Sequence, residues 1–225
     1  MKRSQINSAI KKAKERLKEF KITLPEFGYW SCREWEANKE KIARIKERML
    51  GWDVTDFGRG DFNKCGAVLF TVRNGDKKDL THKAPYAEKY IMLDDSTDQE
   101  IPLHYHIEKT EDIINRGGGI LCVELYHKSS DGGLDKESNV CVWQDAMEHT
   151  YAPGEIIEIT PGNSITLEPF VYHRFFAKKG EGMLIVGEVS KVNDDKNDNV
   201  FSVESNYFCD IEEDEAPIHP LVSEY

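Results

Sequence analysis

His104 and His106 stand one residue apart in the stretch HYHIEKTE at 104–111, and Glu111 follows five residues after the second of them. On a β-strand alternate side chains share a face, so both histidines can look into one interior while Tyr105 looks away. That is how two ligands are set on one side of a metal ion. The offset to Glu111 is odd, so a strand that ran straight on would carry it to the wrong face. The polar stretch IEKTED supplies a turn that brings it back. A third histidine, His173, closes EPFVYH, after Pro169 and before Phe175 and Phe176, where another interior strand should start. Three imidazoles and a carboxylate form a borderline-to-hard donor set suited to Mn, Fe, Co, Ni or Zn, with positions left open on an octahedral ion for chemistry. The H-x-H pair alone is a weak signal. Its weight comes from Glu111, the Gly117–Gly119 triplet and the distant His173.

Positioning such a cage requires a rigid frame, and the sequence reads as mainly β after a helical start. Ile6, Ile10, Ala13, Leu17 and Phe20 recur at spacings of four and three, one face of an amphipathic helix. A second helix is predicted from Ser31, whose N-cap role is supported by Glu34 three residues on, with Ile42, Ile45 and Met49 as its buried stripe. From GAVLFTVRNG at 66–75 onward, short β-rich runs separated by turn residues indicate an antiparallel barrel or sandwich. The predicted layout is a helical extension over 1–62, a barrel over 63–203 and an acidic segment over 204–225. Between Glu204 and Tyr225 there are seven acids and no Lys or Arg, which reads as a solvated tail.

Composition narrows the function. A net charge of -11 repels phosphate backbones and anionic lipids, which argues against nucleic-acid and membrane partners. No stretch approaches the roughly 20 apolar residues of a membrane span, and the first residues lack the apolar core of an export signal, so a cytoplasmic address is expected. Five scattered cysteines with no C-x-x-C pair suggest neither a disulfide framework nor a structural zinc site. No phosphate-binding glycine loop is present, which favours a neutral ligand over a phosphorylated one. RGD at 59–61 reads as a turn, and VNDDKNDN at 192–199 as a polar loop with groups that suit hydroxyls.

The run from His104 to Glu111 with Gly118 beyond it, and PGNSITLEPFVYH ending at His173, resemble the two metal-binding motifs of the cupins. Together with the helical start, GRGDFNKCG, PLHYHIEKTEDIINRGGG and VGEVSKVNDD, nearly the whole chain resembles the D-lyxose ketol-isomerases of that superfamily. The second motif departs from the common pattern, because PG lies eleven residues before His173. The resemblance implies a cupin-type antiparallel β-barrel (jelly roll), a homodimer, and a divalent metal, foremost Mn2+, with Co2+, Fe2+, Ni2+ and Zn2+ as alternatives. It implies His104, His106, Glu111 and His173 as ligands and a free sugar as substrate. D-lyxose with D-xylulose would be the first pair and D-mannose with D-fructose the second. An iron-dependent cupin dioxygenase and a non-catalytic sugar-binding cupin are the competing readings.

Isomerisation through a cis-enediol needs a base that is not itself a metal ligand. Glu204 is the first candidate, because a carboxylate among aromatic residues can be desolvated into a useful pKa range. Lys109 can donate to a sugar oxygen or neutralise the enediolate, and Asp210 is a candidate substrate contact. Arg174 alternates with His173 and should point outward. His82 and Lys89 have no spacing that ties them to the cage, while His127, His149 and His219 read as structural or exposed.

Overall fold

The computed structural model describes residues 1–76, 84–195, 197–205 and 208–225; His82 lies outside them. Helix α1 covers Arg3–Glu19, followed by two short helices, α2 (Cys32–Ala37) and α3 (Ala43–Glu47). The strands are β1 (Gly51–Thr55), β2 (Ala67–Asn74), β3 (Tyr86–Leu93), β4 (Glu100–His106), β5 (Glu111–Gly117), β6 (Leu121–Lys128) and β7 (Leu134–Asp135). They continue as β8 (Val140–Gln144), β9 (Met147–Tyr151), β10 (Ile156–Ile159), β11 (Ser164–Leu167), β12 (Val171–Ala177), β13 (Leu184–Lys191) and β14 (Asn199–Phe201). One sheet runs β1-β2-β3-β13-β5-β11-β8-β9; the other runs β10-β6-β12-β4-β14, with β7 paired to β6. All the pairings are antiparallel. The sheets curl towards each other as the halves of a cupin-type barrel.

Strand alternation divides the first sheet between two cores. Leu69, Ile91, Leu93, Leu184 and Val186 turn inward and join Ile113, Leu121, Val123 and Phe175 in the barrel. Val68, Phe70, Met92 and Ile185 turn outward against Ile6, Ile10, Ala13 and Leu17 of α1. The predicted stripe of α1 is therefore the buried face, except that Phe20 is partly exposed and caps the helix. Each fully buried Leu or Ile contributes about 1.5–3 kcal/mol relative to exposure, so this layer fastens the helix along the sheet.

The second predicted helix is shorter than its periodicity suggests. Ser31 does cap it, with Glu34 completing the reciprocal box, but α2 stops at Ala37. Asn38 then turns its amide back to the carbonyl of Glu34 at 2.9 Å, a local bond that competes with helix continuation. Ile42 is buried, but α3 has no buried residue, and Met49 leaves it in the left-handed region at φ 52°. Trp35 is the anchor instead, stacked on Tyr225 at 4.6 Å. Gly51–Thr55, inside the stretch read as helical, is a strand paired to β2.

The acidic stretch is not a solvated tail. Arg3, wholly buried on α1, donates to Glu213 at 2.9 and 2.6 Å and pairs with Glu224. Leu221 and Val222 are buried beside β1. The carboxylates are concentrated there because the start of α1 offers them a cation and amide donors. Among the described residues no helix is long and apolar enough to cross a membrane.

Candidate metal centre

The two halves of the barrel bring different groups to one point. In the second sheet His104 of β4 stands directly opposite His173 of β12. His106, two residues along β4, shares their face. The chain then turns over 107–110, and Glu111 opens β5 in the first sheet. The predicted turn is thus real but shorter than IEKTED: it ends at Thr110, and Glu111 already belongs to a strand.

Ligand atoms of His104, His106 and His173 lie within 4.8 Å of one another, and all three residues are buried. Glu111 Oε1 is 3.4 Å from His106 Nε2 and 3.1 Å from His173 Nε2. Neither nitrogen has a hydrogen-bond partner. Two buried orphan nitrogens converging on a carboxylate oxygen are costly unless something binds them. The protonation states suit a cation. Burial pushes His104 well below the ordinary imidazole range, reinforced by His173 and His106, and burial together with Lys109 also lowers His106. For Glu111 burial alone would raise the pKa, but Lys109 and His106 hold it well below the usual carboxylate range. Neutral His104 and His106 imidazoles facing the ionised Glu111, with His173 Nε2 beside them, are a donor set that fits a divalent metal.

A second layer lies beside this set. Lys109 is not a solvated turn lysine; it is 4% exposed. Its Nζ lies 2.8 Å from Glu111 Oε2 and 2.9 Å from Glu188 Oε1. Burial opposes its charge, but Glu111 and Glu188 outweigh that and raise its pKa, so it remains an ammonium. Glu188, on β13, also accepts from Ser190 Oγ at 3.1 Å. Directly across the sheet from Glu188 is Lys89 of β3, itself 3.2 Å from Asp195. Lys89, Lys109, Glu188, Asp195 and Asn199 line one cavity with His104, His106 and Glu111. Phe57, Phe175 and Phe201 line the same cavity with apolar surface.

The other candidates stand apart. Glu204 is exposed and does not line this cavity, so the desolvation that recommended it as a base is missing. Asp210 is also exposed, and its carbonyl accepts from the N-terminal ammonium at 2.6 Å. Arg174 points outward to Glu100 and Glu124, as alternation predicts. His127 is the penultimate residue of β6, and His149 lies within β9. His219 is buried against Trp30, whose carbonyl lies 2.7 Å from its Nδ1.

Sequence reasoning missed Glu188, although a signal was there. Along LIVGEVSK the inward positions read Leu184, Val186, Glu188 and Ser190, and a carboxylate on the inward face of an otherwise apolar strand needs a partner.

The profile of the D-lyxose isomerase family matches residues 1–225. A D-lyxose/D-mannose isomerase of Serratia proteamaculans is 40% identical over 226 residues, covering 100% of this chain and 98% of that protein. A D-lyxose/D-mannose isomerase of Escherichia coli O157:H7 is 40% identical over 229 residues, with 100% and 98% covered. Among solved structures, an Acinetobacter sp. DL28 L-ribose isomerase in complex with L-ribose superposes with a TM-score of 0.58 at 14% identity, over 93% of this chain and 98% of that one. At that identity the likeness is one of fold. A full-length family match and two relatives at 40% identity over the whole chain place this protein in the D-lyxose isomerase family, as an aldose–ketose isomerase.

Proposed function

We propose that this enzyme interconverts D-lyxose and D-xylulose, with D-mannose and D-fructose as a second pair. A divalent metal, foremost Mn2+, would be held by His104, His106, Glu111 and His173. The observation that carries this reading is the Lys109–Glu188 pair, fixed at 2.9 Å inside the cavity that the ligand cluster shares. The names of the two 40%-identical relatives support the choice of sugars.

When bound, the metal supplies a Lewis acid that polarises the sugar carbonyl and makes the neighbouring C–H more acidic. Glu188 is the base: it is a buried carboxylate that is not in the ligand set, on the inward face of β13. It takes the proton from C2 of the open-chain aldose, giving a cis-enediolate, and returns that proton to C1. The hydroxyl proton moves from O2 to O1, with the Lys109 ammonium donating to whichever oxygen carries the charge. This route converts one isomer to the other with no net gain or loss of atoms or electrons. Phe57, Phe175 and Phe201 keep bulk water from the enediolate.

The test is incubation of metal-loaded protein with a panel of free pentoses and hexoses under anaerobic conditions. Conversion of D-lyxose, and more slowly of D-mannose, is expected. It should be abolished by EDTA and restored by Mn2+. Full turnover after chelation would remove the metal from the reading, and inertness towards both sugars would overturn the substrate assignment.

A further inference from the structure

The three histidines are not held alike. His104 Nδ1 lies 2.8 Å from the carbonyl of Pro102, and His173 Nδ1 lies 3.0 Å from the carbonyl of Val171. Each is thus fixed by the backbone two residues earlier on its own strand, which leaves Nε2 facing the cluster. His106 has no such anchor, and its buried Nδ1 has no hydrogen-bond partner. The group that faces it is the carboxylate of Asp198, 2% exposed, with Oδ2 at 3.7 Å.

Asp198 is held in place by the turn that follows β4. Its backbone carbonyl accepts from Ile107 N at 3.1 Å. Its side chain accepts from Glu108 N at 2.7 Å and from Lys109 N at 3.2 Å. Three successive amides of the turn that carries Lys109 therefore close on one aspartate. Asn199, the next residue, pairs with His106 in the ladder between β14 and β4.

We propose that Asp198 is a positioning residue for the metal centre: its carboxylate accepts a hydrogen bond from Nδ1–H of His106, and the same side chain fixes the turn bearing Lys109. A carboxylate behind a ligating imidazole sets its tautomer and raises its basicity more than a carbonyl does. His106 is then the most electron-rich of the three imidazoles. The inference rests on the metal-binding reading above but assigns a role to a residue outside the ligand set.

Asp198→Asn keeps the shape of the side chain but puts a donor in place of Oδ2, the acceptor that faces both His106 Nδ1 and Lys109 N. Asparagine keeps the size and one acceptor for the turn, but an amide NH2 facing Nδ1 favours the tautomer protonated at Nε2, which cannot ligate. Mn2+ affinity, measured by competition with a fluorescent chelator, is expected to fall about 10- to 100-fold, and the visible spectrum of the Co2+ form should change. Nitrogen-15 imidazole NMR of the metal-free wild type should find His106 protonated at Nδ1. Wild-type Mn2+ affinity in Asp198→Asn, or an Nε2–H tautomer at His106 in the wild type, would overturn the proposal. The NMR result stands even if the variant folds poorly. Absence of Mn2+ binding by the wild type would instead defeat the metal reading itself.

Discussion

Glu188 and Glu204 carry the same side chain in opposite surroundings: one is 4% exposed and held by Lys109, the other lies open to water. Catalysis by a carboxylate depends on those surroundings, so the two can be told apart by experiment. Glu188→Gln should lower kcat about 10²-fold or more, the loss typical of a missing general base, while atomic absorption finds the metal content unchanged. Glu204→Gln should leave kcat near that of the wild type; the reverse pattern would return the base to the position read from sequence. The convergence of His104, His106 and Glu111 was legible because strand alternation and one turn suffice for it, and His173 was marked by its place at the start of another strand. The proposed base was not legible, because Glu188 lies 77 positions beyond Glu111 and meets Lys109 only through the pairing of β13 with β5. No periodicity along the chain encodes which strands will be neighbours in a sheet.

At the scale of elements, the barrel strands were readable from β-rich runs bounded by turns, and α1 from its apolar stripe. β1 was hidden behind the helical pattern before it, and β5 because the polar residues of EDIINRG look like loop until Glu111 and Asn115 are seen facing inward. The Gly117–Gly119 turn after β5 is where the helical layer is tied to the barrel. Arg16 of α1 donates to the carbonyls of Gly118 at 2.8 Å and Met183 at 3.0 Å. Gly118 sits at φ 88°, and a Cβ there would meet the Met183 carbonyl oxygen at 2.2 Å. Both the left-handed backbone and the space exclude a side chain. Gly118→Ala should therefore cost more than the 1–2 kcal/mol of backbone strain alone, on the order of 3 kcal/mol, read as a lower urea midpoint. A loss below about 1 kcal/mol would mean that the turn relaxes freely.

At the scale of the whole molecule, stability and activity favour different groups. Asp53 on β1 is 5% exposed, its Oδ2 has no partner, and burial together with the charge of Asp195 pushes its carboxyl up to about 7. It borders a cavity of about 400 Å3 that shares Asp195 with the cavity of the histidine cluster. Because the folded state holds this proton where the unfolded chain has lost it, Asp53 makes stability fall as pH rises from about 4 to about 7, then level off. At about 1.4 kcal/mol per pKa unit, the gap between 3.8 and about 7 amounts to at most about 4.5 kcal/mol. Asp53→Asn should raise the urea midpoint at pH 8, with the gain shrinking at pH 5; a gain equal at both pH values would show that ionisation is not its source. The clasp between α1 and the acidic stretch also orders events in time. Arg3 is made well before its partners Glu213 and Glu224, which lie 210 and 221 residues downstream. The helix is made with its cation still unpaired, and the outer layer can close only once Glu213 and Glu224 have been synthesised.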